Sequence, residues 1–310
     1  MRRFAILTAA LLVGLLPAAR PASSAQDTQP FIGVTYSVHV ETEPRPLKMH
    51  VAQVDLDTPG LRFKVTPPAG DREVMRQSTV DFLRQEHAQL AINGHYFLPF
   101  PSSDKTAWVI GLGASEGHVF SAFEAPEQNF ALVTDAPAIN IDRDNHASLV
   151  HRDPAYADGM HIREPVTLWN VVAGSSQIVT SGVVTIPEYR DATHRDAQLE
   201  PGGPNNYSNS KAWADATTAR TAIGLSRDRR TLTLFTVDVR DGSEGMRLSE
   251  VAAVLIREFG VFDALNLDGG GSTTMAMEDA NGSPTVVNVS SDNPSGRVVA
   301  TSLAVFAKRR

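Results

Sequence analysis

One run near the end of the chain restricts the fold more than any other. Leu265-Asn266-Leu267-Asp268 passes without a break into Gly269-Gly270-Gly271-Ser272. Side chains alternate across a strand, so Leu265 and Leu267 face one way while Asn266 and Asp268 face the other. A polar pair at the carboxyl end of an apolar strand is where α/β proteins place ligand-binding groups. The glycines leave the backbone bare, free to take positive φ or to let amides approach an anion. The same run also suits a tight turn capped by Asp268, which is common glycine chemistry. It is not a P-loop, because no Gly-Lys-Ser/Thr follows. It is not a dinucleotide fingerprint either, since the next segment reads as a strand and not a helix.

The surrounding periodicities organise the rest. Val51, Val54, Leu56, Leu61, Phe63 and Val65 form strand patterns broken by the turn Asp57-Thr58-Pro59-Gly60. Residues 75–86 read as a helix leading into the short strand Gln89-Leu90-Ala91-Ile92. Residues 221–225 and 231–239 make a hairpin. Leu248, Val251, Ala252, Leu255 and Phe259 recur at helical spacing, with Gly260 as the stop. Residues 298–306 close the chain as a strand, and residues 187–215 read as a long loop over one face. The expected fold is α/β (mixed α+β): a single domain over residues 28–308 with a central mixed β-sheet flanked by helices.

Composition narrows the function classes. A chain of 310 residues, 42% of them hydrophobic, can bury a sizeable core without covalent staples. The absence of cysteine removes disulfides, thiolate metal sites and thiol nucleophiles. A net charge of −7 without basic runs argues against nucleic acid as a partner. Anionic ligands remain open, because anion sites are local. Arg2 and Arg3 precede an apolar run over residues 4–16 and the small residues Ser23-Ser24-Ala25, the layout of a signal peptide over residues 1–25. That run falls short of the ~20 residues a membrane span needs. Export to a bacterial periplasm or medium, without stable membrane insertion after cleavage, is the expectation.

Several further segments match a known pattern in order and spacing. They are Ala91-Ile92-Asn93-Gly94-His95-Tyr96-Phe97, Arg220-Thr221-Ala222-Ile223-Gly224, Val237-Asp238-Val239-Arg240, Leu248-Ser249-Glu250-Val251-Ala252 and Asp263-Ala264-Leu265-Asn266-Leu267-Asp268-Gly269-Gly270-Gly271-Ser272. Together they resemble the phosphodiester glycosidase family over most of the chain. Three departures stand out: His95 and Val239 replace family glycines, and Ala173-Gly174-Ser175-Ser176 stands where members often carry Gly-Gly-Pro.

The resemblance implies hydrolysis of a sugar 1-phosphodiester at the anomeric carbon of a phosphorylated glycan, with no metal or cofactor. It implies catalytic roles for Asp268, Asn93 and Arg220, and His95, beside Asn93, joins the expected catalytic set as a general acid or phosphate donor. Substrate would be bound by Asn266, Gly269, Gly270, Gly271, Ser272, Arg240 and Asp238. A phosphate is already a stable leaving anion, with a second pKa of ~6, so such a site needs anion binding and one carboxylate. Asp268 then serves as base, nucleophile or oxocarbenium stabiliser. Alternatives stay open: a sugar-phosphate binding module without catalysis, or an ordinary glycosidase with Asp238 or Glu188 as proton donor. His95 also suits a packed histidine, and Arg240 a surface pair with Asp238 or Asp241. Asp142-Arg143-Asp144-Asn145 hints at a calcium loop but reads better as a solvated turn. Trp108, Trp169 and Trp213 suit sugar stacking or core packing.

Overall fold

A computed structural model describes residues 24–100, 102–123, 136–186, 214–290 and 293–310. Most of the expected signal peptide and of the long loop over residues 187–215, including Glu188 and Trp213, lies outside the described residues.

The strands that frame the site, in chain order, are β1 (Ser24–Phe31), β2 (Val34–Glu41), β3 (Leu47–Asp55), β4 (Arg62–Val65), β5 (Leu90–Asn93) and β6 (Ser176–Thr180). They continue as β7 (Arg220–Ser226), β8 (Thr231–Val237), β9 (Val261–Asn266), β10 (Met275–Glu278) and β11 (Ser302–Phe306). The first sheet runs β1-β2-β3-β8-β7-β9-β6 and ends on Val183–Val184. A second places Pro284–Val286, β10, β5, β11 and β4 side by side. A third, built from residues between 113 and 173, closes one end.

Alternation decides what each face covers. In the first sheet Ile223, Leu225, Leu232, Leu234, Leu265 and Leu267 point to one side. There they meet Val65, Leu90, Ile92, Met275, Leu303 and Val305 of the second sheet. Ala222, Phe235, Val237 and Ala264 point the opposite way, onto the helix α2 (Leu248–Phe259). The second sheet likewise turns Ala91, Ala276 and Ala304 outward, onto the helix α1 (Thr79–Glu86). The centre of the molecule is therefore sheet against sheet.

Helix ends follow from capping. The Ser78 hydroxyl accepts from the Asp81 N–H at 3.2 Å, so α1 begins at Thr79 and not near Met75, which lies in a short strand. In α2 the Glu250 carboxylate accepts from the Arg247 N–H at 2.8 Å. Gly260 ends α2 at φ 64°, a conformation glycine takes without strain.

The expected single mixed sheet flanked by helices is not what forms. Among the described residues strand accounts for 44% and helix for 9%, and the strand pairs of both main sheets are antiparallel. The physical reason is visible in β7, buried on both faces from Arg220 to Leu225. A strand apolar on both sides reads like one in a parallel, helix-covered sheet. Here a second sheet supplies most of that cover.

Candidate active site

The site forms where strand ends from the two sheets meet. Asn93, the last residue of β5, is fully buried and all its described bonds are internal. Its Oδ1 accepts from the Thr221 hydroxyl at 2.8 Å and from the Thr274 N–H at 2.9 Å. Its Nδ2 donates to the Asp268 carbonyl at 2.7 Å. One side chain thus ties β5, β7 and both ends of the glycine run together. The neighbouring Gly94 carbonyl accepts from the Asp268 N–H at 3.0 Å.

Asp268 is 8% exposed, and burial pushes its carboxyl up from 3.8 to about 7. Three groups hold the charged form against that push: the Ser272 hydroxyl, the Arg297 guanidinium and the Gly269 N–H. Arg297 also donates from Nη1 to the Ser272 Oγ at 3.3 Å. The glycines make room for this. A Cβ on Gly271 would lie 2.3 Å from Arg297 Nη2, and Gly270 sits at φ 58° in a short turn through Ser272. Two glycine amides are already engaged, Gly269's with the carboxylate and Gly270's with the Ala219 carbonyl at 2.8 Å.

Asn266 keeps to the face opposite Leu265 and Leu267, as alternation requires. Its Nδ2 donates to the Tyr96 hydroxyl at 3.2 Å and the Ser175 hydroxyl at 2.9 Å. Its Oδ1 is buried with no hydrogen-bond partner. Gly174 permits this crowding, since a Cβ there would sit 2.0 Å from the Asn266 carbonyl oxygen.

The other expected residues are placed around this centre. Arg220 is buried beside Gly269 and donates from Nε to the Met246 carbonyl at 3.0 Å and from Nη2 to the Ala216 carbonyl at 2.6 Å. His95 is fully buried between the Thr301 hydroxyl, 2.8 Å from Nδ1, and the Leu112 carbonyl, 3.0 Å from Nε2. Burial lowers its pKa to about 4, against the Leu112 carbonyl, which favours the charged form. A neutral, enclosed imidazole fits the packed-histidine alternative. Asp238 is also fully buried. Its Oδ1 accepts from the Asn288 amide at 3.0 Å and the Val289 N–H at 2.8 Å, and its Oδ2 faces His50 Nε2 at 3.3 Å. His50 Nδ1 in turn meets the Tyr36 hydroxyl at 2.7 Å. Asn288 passes the support on, donating to the Thr273 carbonyl at 3.1 Å just beyond Ser272. Arg240 is exposed on the turn after β8. The Asp142 carboxylate accepts the N–H groups of Asp144 and His146, the arrangement of a closed turn. Among the described residues no group of three His, Asp or Glu side chains converges as a metal site would require.

Reading the sequence missed Arg297, Tyr96, Ser175 and the Tyr36–His50 pair. Arg297 left a faint signal, a lone arginine behind the turn residues Asn293-Pro294-Ser295-Gly296. The pairing of Tyr36, His50 and Asp238 left none, because the three lie in separate strand regions.

A buried carboxylate thus lies among glycines, a serine and an arginine at the seam of an antiparallel sandwich. The chain belongs to the phosphodiester glycosidase family, whose model matches residues 86–306. That family comprises hydrolases acting on sugar phosphodiesters. Human N-acetylglucosamine-1-phosphodiester alpha-N-acetylglucosaminidase is 34% identical over 107 residues, which is 34% of this chain and 19% of the human protein. The bovine enzyme is 33% identical over the same shares. The matched stretch is thus a small part of these relatives' length. Among solved structures, the zebrafish catalytic domain of that enzyme, auto-inhibited by its pro-peptide, superposes with a TM-score of 0.59 at 20% identity, covering 94% of this chain and 85% of its own. A hypothetical protein from Synechocystis gives a TM-score of 0.59 at 16% identity, over 93% and 64% of the two chains. A protein of Burkholderia pseudomallei described as exported gives 0.55 at 17% identity, over 88% and 77%. These structural likenesses establish the fold.

Proposed function

We propose that the chain hydrolyses a sugar 1-phosphodiester at its anomeric carbon, within a phosphorylated glycan or polysaccharide outside the cytoplasm. The observation that carries this reading is the Asp268 carboxyl, pushed up to about 7 and braced by Ser272 and Arg297. A carboxylate of that affinity takes a proton readily near neutral pH. Water attacks the anomeric carbon and gives its proton to Asp268. The bond from that carbon to the phosphate oxygen breaks, with its electron pair leaving on the phosphomonoester. Arg297 holds the phosphate, and Ser272 links its guanidinium to Asp268. Arg220, whose Nε and Nη2 serve backbone carbonyls, fixes the strand beneath Gly269. Asn93 positions Asp268 and does not touch substrate. The free Oδ1 of Asn266 accepts from a sugar hydroxyl or amide.

Two observations support export. The N-terminal sequence has the charge and apolar pattern of a signal peptide, and a structural relative is described as exported. No described helix is long and apolar enough to cross a membrane.

The test is release of reducing sugar from a panel of sugar 1-phosphodiesters, UDP-N-acetylglucosamine included, by the purified protein and its Asp268→Asn variant. Product from the parent and none from the variant is expected. Binding without product on every substrate would support the binding-module reading instead.

A further inference from the structure

Beyond Arg297 the positive charge does not stop. The Arg297 guanidinium lies 5.2 Å over the Phe100 ring, and Phe100 meets Phe97 edge-on at 5.7 Å. Arg76 lies 4.8 Å over Phe97, and Arg72 lies 4.6 Å over Trp108. Three guanidinium groups therefore lie over neighbouring aromatic rings, the first of them in the active site.

Their acidic partners are unevenly shared. Asp104 pairs with Arg72 at 2.8 Å, and Asp71, bonded to the Thr106 hydroxyl, also acts on Arg72. Arg76 donates to carbonyls: those of Ser102 at 2.9 Å, Asp104 at 3.0 Å and Val298 at 3.2 Å. Its Nε is buried with no partner. Burial pulls its pKa down, and Arg297 and Arg72 add to that pull against the carboxylate of Asp104. Carbonyls orient a guanidinium without neutralising it. Like charges so arranged cost free energy in the empty protein and recover it when an anion arrives. Beside them Met75, Phe100 and Val298 are 41%, 41% and 43% exposed, an apolar margin to the charged strip.

We propose that this arginine–aromatic ladder binds a second anionic group of the substrate, on the leaving-group side of the scissile phosphate. The inference rests on the hydrolase reading above and names its substrate class: a diester whose aglycone carries another phosphate. A nucleoside diphosphate sugar and a repeating sugar-phosphate polymer both present that chemistry. Arg297 takes the scissile phosphate, Arg76 the next, and the exposed Phe100 and Val298 border the pair on the apolar side.

Calorimetric binding tests the ladder without requiring turnover. The full chain should bind pyrophosphate at least about tenfold more tightly than phosphate, because charge-assisted contacts to a second phosphate add to the first. Arg76→Gln should shrink that gap to within about twofold while leaving phosphate binding unchanged, and Arg76→Lys should keep most of it. Equal weakening of both ligands, or a gap untouched by Arg76→Gln, overturns the proposal. Should Arg76→Gln fail to fold, the parent's salt dependence decides. Log Kd must then change more steeply with log salt for pyrophosphate than for phosphate, and equal slopes overturn the proposal. Turnover separates this inference from the one beneath it. A parent inactive on every diester removes the hydrolase reading, whereas the binding gap stands or falls by itself. Tighter binding of a repeating sugar-phosphate oligomer than of UDP assigns the polymer as source, and the reverse assigns the nucleotide.

Discussion

Replacing Asp268 by asparagine should remove activity and, in alkaline buffer, stabilise the protein. The carboxyl moves from 3.8 in the unfolded chain to about 7 in the native one. Below pH ~4 it is protonated in both states and costs nothing, given its ordinary range. Between there and neutrality the native state retains a proton that the unfolded chain has lost, so stability falls as pH rises. Above about 7 the whole penalty applies, because the fold now holds a desolvated carboxylate. A difference of about three pKa units at 1.36 kcal/mol each puts that penalty at roughly 4 kcal/mol. Asparagine carries no charge and still presents an oxygen to Ser272. The variant should gain up to ~4 kcal/mol over the parent at pH 8 and almost nothing at pH 4, by the same linkage. Urea unfolding of both proteins at pH 4, 6 and 8 reads the difference directly. A difference that does not change with pH would refute the reasoning, as would a parent more stable than the variant at pH 8. Either result would mean that the carboxyl does not titrate near neutrality.

Three more outcomes follow from the same geometry. If Asp268 works as a carboxylate, kcat/KM should rise with pH through about 7 and level off, since that ratio reports the free enzyme's ionisations. A profile falling over that range would contradict it. Gly271→Ala places a Cβ 2.3 Å from Arg297 Nη2, so the guanidinium must swing away. Because only the tip of a flexible side chain yields, kcat/KM should fall by about tenfold or more while the melting temperature barely moves. Asp238→Ala strips the acceptor from His50, the Asn288 amide and the Val289 N–H. It should destabilise by roughly 3–5 kcal/mol, the usual cost of breaking a buried charged network, measurable as a lowered urea midpoint.

What the chain discloses about itself depends on how local the signal is. The opposed faces of Leu265, Leu267 and Asn266, α2 with its Gly260 stop, and the hairpin of β7 and β8 rest on neighbours within one element. All of these were legible. The sheet architecture was not, because two-sided burial of β7 has the same pattern whether a helix or a sheet covers the second face. Sequence spacing could place Asn93 and Arg220 with the glycine run only through resemblance. It could not show that Asn93 bonds to the backbone and to Thr221, or that Arg220 donates from Nε and Nη2 to carbonyls. Arg297 escaped notice because its contact with Ser272 joins residues 25 apart, across an irregular stretch without periodicity.

The position of the site at the seam explains why its carboxylate can be so perturbed yet held still. Leu267 just before the glycine run and Met275 just after it are both fully buried in the core between the sheets. The loop is therefore anchored at each end by apolar packing, and Asn93 ties those two ends to each other. Only a short stretch of backbone is left to move. Closing the sandwich excludes water from Asp268, which raises its pKa, and the same closure fixes the donors that face it. Such preorganisation lowers a barrier because no dipole has to turn during the reaction. It also requires the fold to carry an unfavourable charge at neutral pH, a cost common to active sites. On this argument the glycines are not flexibility built into the site. They are the absence of side chains that lets Arg297 and the Gly269 amide come close enough to hold a carboxylate that the core would otherwise keep protonated.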